Sequence, residues 1–109
     1  ESVYQNALMI ALQQKGLAVE AQMAMPVTFR DENVGQFYAD LFVENKVIVE
    51  LKAADAFVPE HVAQVINYLK ATQTDVGLLV NFGHQKLEFR RCYRPNIKAT
   101  NHPENPLKS

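Results

Sequence analysis

The apolar pattern predicts a mixed α/β (α+β) domain in the order helix, three strands, helix, two strands. Three observations carry this. Residues 1–15 and 59–73 repeat apolar side chains at helical spacing. Residues 36–53 place β-branched and aromatic residues in two arms around a short polar insert. Residues 75–82 form a short, nearly continuous apolar run, as expected of a buried strand.

The first helix carries Tyr4, Leu8, Ala11 and Leu12 on one stripe, with Gly16 after Lys15 as a stop. Glu1 falls on the same stripe, where periodicity alone favours an interaction with the helix dipole or simple fraying at a chain end. Residues 17–30 read as an extended segment, Val19, Ala21, Met23 and Met25 alternating with Glu20 and Gln22. Pro26 marks an edge or bulge, and the methionines are core filler. Residues 31–35 read as a polar turn into the central hairpin, 36–53. After a link at 54–58, Pro59 suits the first turn of a helix running to about Gln73. Val62, Val65, Ile66 and Leu69 form its core stripe. His61, Gln64 and Tyr68 form a second stripe, which spacing alone assigns to a solvent-facing flank. Residues 83–85 turn the chain, and 86–92 alternate as an edge strand open to pairing with a second copy. From Pro95 the composition shifts to Asn, Pro, Lys and Ser. The domain is therefore placed at 1–94 and an extended or loose tail at 95–109.

At 109 residues the chain holds one small domain, and its 48% hydrophobic content is ample for a core. No apolar run approaches the ~20 residues of a membrane helix. No signal peptide is visible, and the chain opens inside an element. Cys92 is the only cysteine, which excludes an intrachain disulfide and a thiolate metal cluster and points to a reducing cytosol. The net charge of −1 argues against a strong general binder of nucleic acid. Residues 84–98 nevertheless hold Lys86, Arg90, Arg91, Arg94 and Lys98 against Glu88. That stretch reads equally as a phosphate-contacting patch or a solvated strand and tail.

The hairpin carries the chemistry. With a three-residue loop at Glu44-Asn45-Lys46, Val43 pairs with Val47 and Asp40 falls opposite Glu50, their Cβ atoms roughly 5 Å apart. Glu50 and Lys52 then share a face with Ile48. Two facing carboxylates repel each other unless a cation joins them, and their hard oxygens suit Mg²⁺. A loop of two or four residues would separate them. The plainer reading is a structural ion pair, Lys52 with one acid, plus one extra carboxylate.

Asp40 followed by Glu50-Leu51-Lys52 resembles the signature of the PD-(D/E)XK nuclease superfamily. Glu1-Ser2-Val3-Tyr4 resembles the end of the G-x-x-E-x-x-Y motif of one bacterial branch, the GxxExxY proteins. Gln64-Val65-Ile66-Asn67-Tyr68 resembles the Gln-x-x-x-Tyr motif of the helicase-nuclease exonuclease branch. Residues 76–83 also look like the strand that follows in GxxExxY proteins. The resemblance covers about residues 1–94. Ala39 stands where the signature has proline, and the leading glycine is absent.

The resemblance implies a restriction-endonuclease-like αβββαβ core and a Mg²⁺- or Mn²⁺-dependent phosphodiester hydrolase, acting on nucleic acid and most readily on DNA. It implies Asp40, Glu50 and the main-chain carbonyl of Leu51 as metal ligands, with Glu1 binding directly or through water. Lys52 would position the attacking water, and Gln64 and Tyr68 would hold the substrate backbone. The alternative is a non-catalytic module that keeps the fold to bind nucleic acid or a protein. A cytoplasmic protein without membrane contact is expected, with a homodimer through the edge strand as a further possibility.

Overall fold

The computed structural model describes residues 2–56, 58–83 and 87–95. Their elements are α1 (Ser2–Gln14), β1 (Val19–Phe29), β2 (Glu32–Val43), β3 (Val47–Lys52), α2 (Pro59–Thr72), β4 (Val76–Asn81) and β5 (Glu88–Tyr93). This is the expected order. The tail expected beyond Pro95 lies outside the described residues.

The strands form one sheet in sequence order, with β1 and β5 at its edges. Neighbours are antiparallel except β3 and β4, which are parallel. A parallel neighbour cannot be reached by a tight turn, so the chain crosses through α2. The two helices cover opposite faces. Val62, Val65 and Leu69 of α2 pack on Phe42, Ile48 and Leu79. Tyr4, Leu8 and Leu12 of α1 pack on Leu41, Val49 and Val80. A Cβ at Gly77 would stand 2.9 Å from Val65 Cγ1 and 3.2 Å from Leu69 Cδ2, so a glycine in β4 lets α2 approach closely. Among the described residues no helix is long and apolar enough to cross a membrane.

α2 opens at Pro59, with Glu60 in its first turn. The His61 Nδ1 accepts the Val58 N–H at 3.3 Å, so this side chain closes the helix start instead of standing free on a flank. The helix ends at Gln73, a left-handed residue (φ 57°) whose N–H reaches the carbonyls of Leu69 and Lys70.

The first connection differs from the expected turn at 31–35. Phe29 pairs with Glu32, and Arg30 and Asp31 alone make the turn, with φ of 51° and 66°. The register then shifts between Val27 and Thr28, leaving Val34 as the extra residue on β2. Gly35, at φ 156°, sits beside this bulge, and its N–H is held at 2.9 Å by the Asn33 side chain. The glycine therefore serves the bulge and not the turn.

β1 and β2 also depart from simple alternation. Alternation puts Val19, Ala21, Met23 and Met25 on one face, but Val19 and Ala21 pack in the α1 layer and Met23, Met25 and Val27 in the α2 layer. The change of face falls at Gln22, whose φ is 54°. One left-handed residue turns the strand over, so its two neighbours no longer share a face. β2 follows: Leu41 and Val43 lie with α1, whereas Ala39 and Phe37 lie with α2. From Val19 to Val27 every residue of β1 has a Cα partner on β2 except Gln22, which stands across from Asp40.

Candidate active site

The central turn has the length the sequence requires: Val43 pairs with Val47, Phe42 with Ile48 and Leu41 with Val49. Beyond Leu41 the side chains take over from the ladder. The Asp40 N–H donates to Glu50 Oε2 at 3.1 Å, and the Leu51 N–H donates to Asp40 Oδ2 at 2.8 Å. Each carboxylate thus accepts a main-chain donor from the other's strand. These bonds to a charged acceptor offset part of the repulsion between the two acids. Glu50 is only 9% exposed and Asp40 is half-buried.

Two further residues reach this point, and the sequence pattern did not single them out. The Gln22 Nε2 lies 3.1 Å from Gln5 Oε1 and 3.5 Å from Asp40 Oδ1. Gln5 comes from α1 and is 9% exposed. Both glutamines resemble ordinary polar positions in sequence; only the left-handed turn of β1 brings the Gln22 amide to the acids.

Lys52, half-buried, ends β3 beyond Glu50, and no hydrogen bond or ion pair joins its ammonium to a described residue. Asn81 fixes the chain just after it. This fully buried amide accepts from the Ala54 N–H, donates to the Ala54 carbonyl and donates to Glu88 Oε1, each within 3.1 Å. It is a polar member of a run that reads as nearly continuously apolar.

On α2 the Gln64 Nε2 donates to the Tyr68 hydroxyl at 2.9 Å, and the Tyr68 ring stacks on Phe37 with centroids 3.8 Å apart. Phe37 stands three residues before Asp40 on β2, so the pair borders the hairpin that carries the acids. Tyr4 stacks on Phe82 at 4.4 Å and has a packing role. Glu1 lies outside the described residues, as do Lys86 and Lys98 of the basic stretch. Within that stretch Arg94 pairs with Asp75 at 2.7 Å, and Arg90 and Arg91 alternate along β5. Cys92 is buried in the α2 layer, and desolvation raises its thiol from 9.0 to about 11, with Arg90 acting in the opposite direction.

A sequence profile of the PD-(D/E)XK nuclease superfamily matches residues 1–92. The chain belongs to that superfamily. PD-(D/E)XK nucleases generally use divalent metal ions. No curated protein matches the chain by sequence. Solved structures that share the PD-(D/E)XK chain's fold include the following two. The crystal structure of SSO0001 superposes with a TM-score of 0.65 at 19% identity, over 91% of this chain and 52% of that one. An alkaline exonuclease from Laribacter hongkongensis superposes with a TM-score of 0.63 at 13% identity, over 87% of this chain and 56% of that one. The chain spans about half the length of both.

The acids fit a hard divalent ion by the chemistry of their donors. Among the described residues no cluster of three or more His, Cys, Asp or Glu side chains forms a metal cage. Asp40 and Glu50 give two oxygen-donor side chains, and Mg²⁺ is commonly held by one or two carboxylates together with waters.

Proposed function

We propose that the chain is a divalent-metal-dependent phosphodiester hydrolase acting on nucleic acid, most readily DNA, with its site at the splayed end of the β2–β3 hairpin. The observation that carries this is the reciprocal hold on Asp40 and Glu50: two carboxylates kept together at the end of a ladder, with Lys52 two residues on. Asp40, Glu50 and the Leu51 carbonyl would hold Mg²⁺ or Mn²⁺, with Glu1 as a further ligand. When bound, such an ion acts as a Lewis acid toward the scissile phosphate and lowers the pKa of a bound water. Lys52 orients the attacking water and stabilises charge on the phosphate oxygens. The Gln64–Tyr68 pair positions the substrate backbone beside the hairpin. The match of Glu1-Ser2-Val3-Tyr4 favours the GxxExxY branch, and a cytoplasmic setting suits the lone reduced cysteine.

A second reading is a binding module without turnover. The same hydrogen bonds favour it, because the carboxylates satisfy main-chain donors whether or not they ever meet a metal. Lys52 separates the two. Replacing Asp40 or Glu50 by alanine would leave a main-chain N–H without its acceptor, so Asp40→Asn and Glu50→Gln are the cleaner variants. Lys52→Ala is expected to keep the wild-type melting temperature and to lose cleavage of single- or double-stranded DNA by about 100-fold or more, measured with Mg²⁺ and with Mn²⁺. Folded wild type that binds DNA yet cuts none, with either ion, would leave the binding module standing.

A further inference from the structure

We propose that Gln22, anchored by Gln5, is a positioning residue for the Asp40 carboxylate. The inference rests on the metal-site reading above and names the part of the chain that orients its acid.

The backbone supplies the first argument. Gln22 is left-handed in the body of a strand, at φ 54°. A non-glycine residue there costs about 1 kcal/mol or more, and a strand does not need it. It is also the residue that stands across from Asp40 without a ladder partner. The irregularity is therefore placed at the acid and turns the Gln22 amide toward it.

The chemistry of the contacts supplies the second. A carboxylate oxygen can only accept, so the Gln22 atom facing Asp40 Oδ1 is the amide nitrogen. Its other hydrogen then goes to Gln5 Oε1, at 3.1 Å. Gln5 is nine-tenths buried on α1, so it fixes the amide from a rigid element. The Leu51 N–H holds the other oxygen of Asp40. The carboxylate is thus held at Oδ2 by β3, at 2.8 Å, and faced at Oδ1 by the exposed Gln22 amide of the α1–β1 pair, at 3.5 Å, which together bias the plane in which its remaining lone pairs point. Groups that orient a ligand in this way commonly contribute about tenfold or more to metal affinity.

The contact itself is tested without metal. Asp40→Asn is expected to shift the side-chain NH₂ resonances of Gln22 in a ¹⁵N correlation spectrum of the otherwise wild-type fold. An unchanged Gln22 signal overturns the inference. Mn²⁺ calorimetry then tests the consequence. Gln22→Gly suits the left-handed backbone and removes the whole exposed side chain, amide included, so its melting temperature is expected to stay close to the wild type while Mn²⁺ binding weakens about tenfold. Gln5→Leu keeps the buried volume and is expected to weaken binding in the same direction. Wild type and Gln22→Gly binding Mn²⁺ equally would overturn the positioning role alone. Wild type binding no Mn²⁺ overturns the metal-site reading and the role together, and the metal-free spectrum still reports whether Gln22 and Asp40 touch.

Discussion

Asp40 and Glu50 were legible because a strand has a strict two-residue period. Counting outward from a three-residue loop places them across from each other, and the observed Val43–Val47 pairing is the one that count requires. Their main-chain donors were not legible, since a bond to a backbone N–H leaves no trace in residue type. Gln22 is exposed, as the alternation reads it, but its backbone was not legible for a related reason. In an alternating segment a glutamine marks the wet face, and nothing in the sequence announces a left-handed residue that is not glycine. Cys92 offers a check at this scale. Burial favours its neutral thiol in the folded chain, raising it from 9.0 to about 11. The unfolded chain ionises first as pH rises, so the contribution is fully present below pH 9.0 and is lost toward pH 11. In urea titrations, the stability of wild type relative to Cys92→Ala is expected to stay constant up to about pH 9 and then fall by about 2–3 kcal/mol by pH 11. A difference that stays flat through this range would contradict the burial account.

At the scale of elements, both helices followed from their apolar repeat and β4 from its nearly continuous apolar run, while β1 and β2 were legible as strands although their faces change midway. The β1–β2 turn was not. Gly35 and the polar residues around it drew the turn to 31–35, while the chain turns at Arg30-Asp31, a pair poorly suited to two consecutive left-handed positions. That turn is held by strand pairing on either side and not by its own residues. Replacing Arg30-Asp31 with Asn-Gly is expected to stabilise the protein by about 1 kcal/mol, seen as a higher melting temperature. No increase would mean that the Arg30 guanidinium, 5.0 Å from the Phe29 ring centre, contributes as much as the strain removes.

At the scale of the whole molecule, the α1 face carries an apolar groove of about 270 Å³ beside β5, between Leu8, Leu12, Val47, Leu78, Leu87 and Phe89. The two helices are nearly equal in length, but among the described residues α1 lies mainly over β1 and β2, whereas α2 reaches β1, β4 and β5. The order of elements was readable from sequence, but this unevenness was not, because it depends on how far each helix reaches across strands distant in the chain. The change of face at Gln22 has a similar long-range result. It assigns the outer half of the first hairpin, with Met23, Met25, Val27, Ala39 and Phe37, to the layer that α2 completes. A chain made from its N-terminus would form that hairpin early, yet Tyr68 and Leu69 arrive some thirty residues after Phe37. Until then the outer hairpin is a nascent sheet with an uncovered oily side, the stage at which two growing copies would most readily stick. In the finished protein its protection should depend on α2: Tyr68→Ala is expected to speed amide exchange at 23–25, 27 and 37–39 while leaving 19–21 and 41–43 little changed. Uniform acceleration would show instead that the two halves open together. The hairpin is thus early in sequence but late in burial, and its safe assembly is timed by a helix not yet made when it first appears.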